Sequence, residues 1–112
     1  MRKYETIYII DPAVEGASLD GVVEKYNGVI HSYGGKVLRQ DRWGARNLAY
    51  PLKKKNQGFY VYTLFEGKNQ ALTELERAFR IDENILRHLT IVLEKKQLIT
   101  VEKELAAQAQ LA

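Results

Sequence analysis

Residues 36–66 read KVLRQDRWGARNLAYPLKKKNQGFYVYTLFE, two runs of strand-forming residues joined by a lysine-rich break. The first run, residues 36–52, opens on Val37 and Leu38 and carries Gly44 in its middle. A glycine inside a strand marks a bulge or bend, and Pro51, lacking an amide donor, suits an edge strand. The second run, residues 59–66, is rich in Phe, Tyr, Val and Thr, which fit a pleated, half-buried surface. Between them, Lys53, Lys54, Lys55, Asn56, Gln57 and Gly58 have the composition of a loop tip. The pair predicts a long hairpin with an irregular first strand and a basic tip.

Residues 2–10 alternate as a strand, and the run Ile7, Tyr8, Ile9, Ile10 is apolar on both faces, which predicts a central position. Pro12 follows its end. Leu19, Val22, Val23, Tyr26, Val29, Ile30 and Tyr33 recur at helical spacing. Ser18 is the expected N-cap of that helix and Gly34-Gly35 its stop. Beyond the hairpin, Asn69 is the expected cap of a second helix, with Leu72, Leu75, Ala78 and Phe79 as its buried stripe. Residues 86–94 form a fourth, strongly apolar strand. The order β-α-β-β-α-β defines an α+β class. Right-handed crossovers pack both helices on one face of a four-stranded antiparallel sheet, the split β-α-β or ferredoxin-like arrangement. The folded domain is expected over residues 1–95. The Ala-, Gln- and Glu-rich tail 96–112 reads either as a frayed helix or as a segment that orders on a partner.

The net charge of +3 over 112 residues conceals a strong asymmetry. Residues 36–55 hold Lys36, Arg39, Arg42, Arg46, Lys53, Lys54 and Lys55 against Asp41 alone, while acidic groups outnumber basic ones on either side. Such clustering is the footprint of a polyanion-facing surface, or of a solvated basic loop. The chain has no cysteine, which excludes disulfides, thiolate metal sites and a cysteine nucleophile. The opening residues lack the apolar region of a signal peptide, and no apolar run approaches the roughly 20 residues of a membrane span, so a soluble cytoplasmic protein is expected.

Several side chains are candidates for contact with nucleic acid. Lys53, Lys54 and Lys55 form point charges that neutralise phosphates without reading sequence. Arg42 and Arg46 flank Trp43, and a guanidinium grips phosphate bidentately or stacks on a base. Trp43 itself reads either as a stacking ring or, preferably, as a packing residue for the core or a partner. Tyr60 and Tyr62 share a strand face; if Phe59, Val61 and Phe65 turn to the helices, the tyrosines lie on the uncovered face as a stacking platform. Half-buried sheet aromatics are the alternative. Arg2 and Lys3 open the first strand, and Arg87 and His88 open the fourth, so two separate basic spots are expected at opposite ends of the sheet. Leu48, Tyr50 and Leu52, with Trp43, suit association with a protein partner.

The stretch Asp41-Arg42-Trp43-Gly44-Ala45-Arg46-Asn47-Leu48-Ala49-Tyr50-Pro51-Leu52 closely resembles the signature of the S-six family of bacterial small-subunit ribosomal proteins. The opening Arg2-Lys3-Tyr4-Glu5 resembles that family's start, and Asp82, Asn84, Ile85 and Arg87 resemble its final turn and strand entry. The matches run in order along residues 1–95. Ala45 stands where the family often has a second arginine, and the tail is shorter than in members with long acidic extensions. The resemblance implies a ferredoxin-like structural subunit of the cytoplasmic ribosome. It further implies binding to the central domain of small-subunit ribosomal RNA together with ribosomal protein S-eighteen, without enzymatic activity or cofactor.

Other functions of the same fold fit the residues less well. Acylphosphatases bind phosphate with an arginine in the loop after the first strand, but here Asp11 and Glu15 make that loop acidic. No Ser-His-Asp arrangement is evident, and His31 and His88 have no metal-ligand spacing. A homo-oligomeric regulatory domain binding a small molecule is the alternative, yet Gly34-Gly35 follows a helix instead of opening one.

Overall fold

The computed structural model describes residues 2–52 and 54–93, with the backbone alone for residues 49–52. Lys53 and the tail 96–112 therefore lie outside the described residues, as do the side chains of Tyr50 and Leu52. The elements follow in the order β1 (Arg2–Ile10), α1 (Ala17–Ser32), β2 (Lys36–Leu52), β3 (Lys55–Gly67), α2 (Asn69–Ile81) and β4 (Ile85–Leu93). They form one antiparallel sheet in the order β2-β3-β1-β4, with β1 central and β2 on an edge, as the apolar run and Pro51 require.

Period-two alternation divides every strand between two faces. Tyr4, Tyr8 and Ile10 of β1 join Val61 and Phe65 of β3 against Val23, Tyr26 and Ile30 of α1 and Leu75 and Phe79 of α2. Aromatic rings make the centre of this core. Tyr8, Tyr26 and Phe79 lie within 4.5–5.3 Å of one another, and Tyr4 stacks on Phe65 at 5.2 Å. Each such pair adds about 0.5–1.5 kcal/mol beyond the area it buries.

A polar row crosses this same face. Thr90 Oγ1 donates to Thr6 Oγ1 at 2.8 Å, Thr6 Oγ1 donates to the Leu89 carbonyl at 3.2 Å, and Gln40 Nε2 donates to Thr63 Oγ1 at 2.9 Å. The Asn27 and Gln40 amides exchange two bonds of 2.8 and 3.0 Å, joining α1 to the edge strand. Thr6 and Thr63 are buried, and these bonds satisfy their hydroxyls.

The structure corrects three local expectations. Helix α1 begins one residue before Ser18, after Gly16 with φ 61°, and has no side-chain cap bond. Helix α2 starts at Asn69 itself, because Tyr4 Oη donates to Asn69 Oδ1 at 3.0 Å and commits that oxygen to a tertiary partner. The lysine-rich tip is a tight turn, not a six-residue loop: Lys55 already pairs with Leu52, and Lys54 adopts φ 64°.

Candidate nucleic-acid interface

The helix-free face is read in rows across the four strands. From β2 to β4, paired positions give Gly44, Tyr60, Ile9 and Arg87, then Asp41, Tyr62, Ile7 and Leu89, then Arg39, Leu64, Glu5 and Ile91. Lys36, Glu66, Lys3 and Leu93 complete it. Tyr60 and Tyr62 thus stand opposite the helices, as the alternation predicted.

This face is only partly bare. Trp43 lies parallel to Tyr62, ring centroids 5.7 Å apart with 8° between planes, and reaches Tyr60 at 6.5 Å. Beneath it, Tyr62, Leu64 and Leu93 form a second small core with Ile7. Tyr62 is consequently only 1% exposed, and its hydroxyl donates to Glu5 Oε2 at 3.0 Å. Burial, with the Glu5 carboxylate beside it, pushes that hydroxyl's pKa up, so it remains a donor throughout the physiological range. Tyr62 supports the platform; Trp43 and half-buried Tyr60 supply its accessible rings.

A bulge decides what joins them. The register of β2 against β3 shifts between Arg42 and Gly44, with Gly44 at φ 85° in the left-handed region that favours glycine. In a regular strand, Arg42 and Arg46, four residues apart, would share a face. The extra residue separates them. Arg42 turns to the helix side and pairs with Asp20 of α1, while Arg46 comes to the open side with its guanidinium 5.5 Å from the Trp43 ring. Such an exposed cation–π contact contributes about 0.5–1 kcal/mol, enough to orient Arg46 without consuming its hydrogen-bond donors. Leu48 lies near by, its Cδ2 3.7 Å from the position a Cβ would take on Gly58. That Cβ would meet Ile9 Cγ2 at 2.2 Å, so the strand crosses here only as glycine.

The remaining predicted residues fall into separate places. Lys54 is exposed at the turn, and Lys55 Nζ lies 3.8 Å from Asp11 Oδ1, which offsets part of its charge. Arg2 and Lys3 stand at one end of the sheet and Arg87 at the other, which makes two basic spots instead of one patch. His88 is on the helix side, stacked on Phe79 at 5.0 Å, and burial holds its pKa below the ordinary imidazole value. It is therefore largely neutral near pH 7 and gives little charge to a phosphate. Arg39, which the sequence marks only as one of several basic residues, lies on the open face beside Asp41 at 3.2 Å. Their spacing of two was the available signal.

A cleft of about 520 Å³ beside the first half of α1 is lined by Val14, Val22, Lys25, Asp82 and Asn84 among others. Its carboxylate is already engaged: Tyr26 Oη donates to Asp82 Oδ2 at 2.5 Å, and Lys25 lies at 3.3 Å from the same oxygen. No group of three or more potential metal ligands occurs among the described residues.

A four-stranded antiparallel sheet with both helices on one face and an arginine-backed aromatic corner on the other defines the class: a small α+β protein of the split β-α-β type. The family comparison then gives the particular assignment. Residues 3–92 match the ribosomal protein S6 family, and the chain belongs to it. It is 45% identical over 95 residues to small ribosomal subunit protein bS6 of Clostridium acetobutylicum, covering 85% of this chain and all of that one. With the protein of the same name from Carboxydothermus hydrogenoformans it shares 37% over 91 residues, 81% of this chain and 95% of the relative. The crystal structure of 30S ribosomal protein S6 from Thermotoga maritima superposes with a TM-score of 0.79 at 33% identity, covering 96% of this chain and 97% of that one. The chain is accordingly a structural, non-enzymatic component of the small ribosomal subunit, located on the cytoplasmic ribosome.

Proposed function

We propose that this protein binds the central domain of small-subunit ribosomal RNA jointly with ribosomal protein S-eighteen, through the hairpin corner of its helix-free face. The observation that carries the reading is the Gly44 bulge, which brings Arg46 onto Trp43 beside Tyr60 at the approach to the lysine turn. Lys53, Lys54, Lys55 and Arg46 contact phosphates; Trp43 and Leu48, with Tyr50 and Leu52, meet the protein partner. Arg2, Lys3 and Arg87 add distant phosphate contacts, whereas Arg42 and His88 support the fold from the helix side.

A net charge of +3 is low for a protein that would hold RNA unaided, so the partner completes the surface. The test is binding to a central-domain RNA fragment across a salt series, with and without S-eighteen. Binding that tightens with S-eighteen and weakens with salt is expected. Replacing Lys53, Lys54 and Lys55 by alanine should flatten the log–log salt slope by about 1 for each phosphate that is no longer neutralised. An unchanged slope removes the turn from the interface. Tight, salt-resistant binding by the protein alone contradicts the need for a partner.

A further inference from the structure

The two edges of the sheet are finished differently. On β2 the register against β3 shifts at three places, and charged side chains and Pro51 lie along the strand, devices that blunt an edge against further pairing. The β4 edge has none of these. Its register against β1 runs unbroken from the Lys3–Leu93 pair to the Ile9–Arg87 pair, and residues 88–93, HLTIVL, hold no Lys, Arg, Asp, Glu or Pro. Leu89 is 60%, Ile91 41% and Val92 38% exposed. A regular, apolar edge strand of this kind is a template for another strand.

The order of residues along β4 fits one occupant in particular, a second β4 laid antiparallel to the first. When a two-fold axis perpendicular to the sheet passes through Thr90, each residue meets the one as far beyond Thr90 as it lies before it. Leu89 then faces the second copy's Ile91, and Ile91 faces its Leu89, so the exposed aliphatic side chains of the helix-free face cover each other twice. On the helix side Val92 faces the second copy's His88, and Arg87 falls opposite Leu93 at the ends. No charge meets a like charge, and both helix-free faces stay on one side. With Ile91 on the axis instead, Leu89 would meet Leu93, which is 8% exposed and already packed in the small core. The Thr90 register therefore covers more apolar surface.

We propose that β4 is a self-association edge, along which two copies of this chain join about Thr90 into one continuous sheet of order β2-β3-β1-β4-β4-β1-β3-β2. Arg87 to Leu93 is a short stretch beside the roughly 20–30 residues a side of a standard interface, so the association is weak and belongs to the free protein at high concentration. It leaves the hairpin corner at the opposite edge open, and it is independent of the RNA-binding reading.

Sedimentation equilibrium of the full chain up to about 1 mM should show a monomer–dimer equilibrium. Leu89→Lys alone and Ile91→Glu alone should each weaken it about tenfold, because the axis repeats each change. Both side chains are exposed, so the fold is retained and is checked by urea unfolding. Mixing the two variants should restore association: in the Thr90 register the introduced lysine faces the introduced glutamate, and Ile91 of one copy keeps Leu89 of the other. A chain that stays monomeric throughout overturns the proposal and leaves the edge to a strand of another protein. Association that is unchanged in either variant overturns it by placing the contact elsewhere. Association that mixing does not restore overturns it by excluding this register.

Discussion

One sheet presents two faces closed by different means. The helix side is sealed by two amphipathic helices whose rings and aliphatics interlock around Tyr8, Tyr26 and Phe79. The opposite side is sealed over half its width by one indole, which rests on Tyr62 and is capped by Arg46. The first closure is deep and serves stability. The second is shallow, and leaves an aromatic plane and a guanidinium at the surface where a partner can reach them. On the proposed reading, stability and recognition fall to opposite faces, and substitutions should separate them.

The largest expected effect is on the helix side. Phe79→Ala, at 1% exposure among three rings, should cost about 3–5 kcal/mol in urea unfolding. Trp43→Ala, at a half-buried ring, should cost less, about 1–3 kcal/mol from its two stacked contacts, while abolishing joint RNA and S-eighteen binding. Equal stability losses would erase the distinction between the faces.

Next comes the polar row. Thr6→Val removes the acceptor for Thr90 and the bond to the Leu89 carbonyl, and should cost about 1–3 kcal/mol because the stranded groups are shielded from water. A neutral result would show that water replaces those bonds.

A smaller, pH-dependent effect is expected at Asp82. Burial alone would raise its pKa, but the bonds from Tyr26, the Asn84 amide and Lys25 outweigh that and lower it. A carboxylate with a depressed folded pKa contributes stability above its ordinary value of 3.8 and loses it as pH falls through the folded value. Tyr26→Phe should therefore destabilise at neutral pH, and the gap from the parent should narrow as pH drops below that value. A gap that stays constant with pH would mean the Tyr26 hydroxyl does not act through Asp82.

The smallest change should be a gain. Tyr8 Oη is buried without a hydrogen-bond partner among the described residues, so Tyr8→Phe should raise stability by up to about 1 kcal/mol. A loss of stability would reveal that the hydroxyl is satisfied after all.

Much of this was legible in the residues. The βαββαβ order follows from period-two and period-3.6 patterns, which are local properties of backbone geometry, and Pro51 correctly marked an edge strand. The facing of Tyr60 and Tyr62 followed from the same alternation. Cap residues were less readable, because Asn69 has an acceptor that Tyr4, 65 residues away in sequence, takes for itself. The extent of the hairpin was hidden by composition: Asn56, Gln57 and Gly58 resemble loop residues, yet all three belong to β3, and Gln57 and Gly58 pair with β2 whatever their side chains prefer.

By itself, then, the sequence determined the elements, their order, the helix-facing core and the concentration of basic charge in the hairpin. Only the tertiary structure decided which basic side chains look outward. Gly44 announces a bulge, but the register shift it causes is settled by how β2 pairs with β3, and one extra residue reverses every following side chain. That single shift leaves Arg42 on the helix side, paired with Asp20 of α1, and turns Arg46 to Trp43 on the open face.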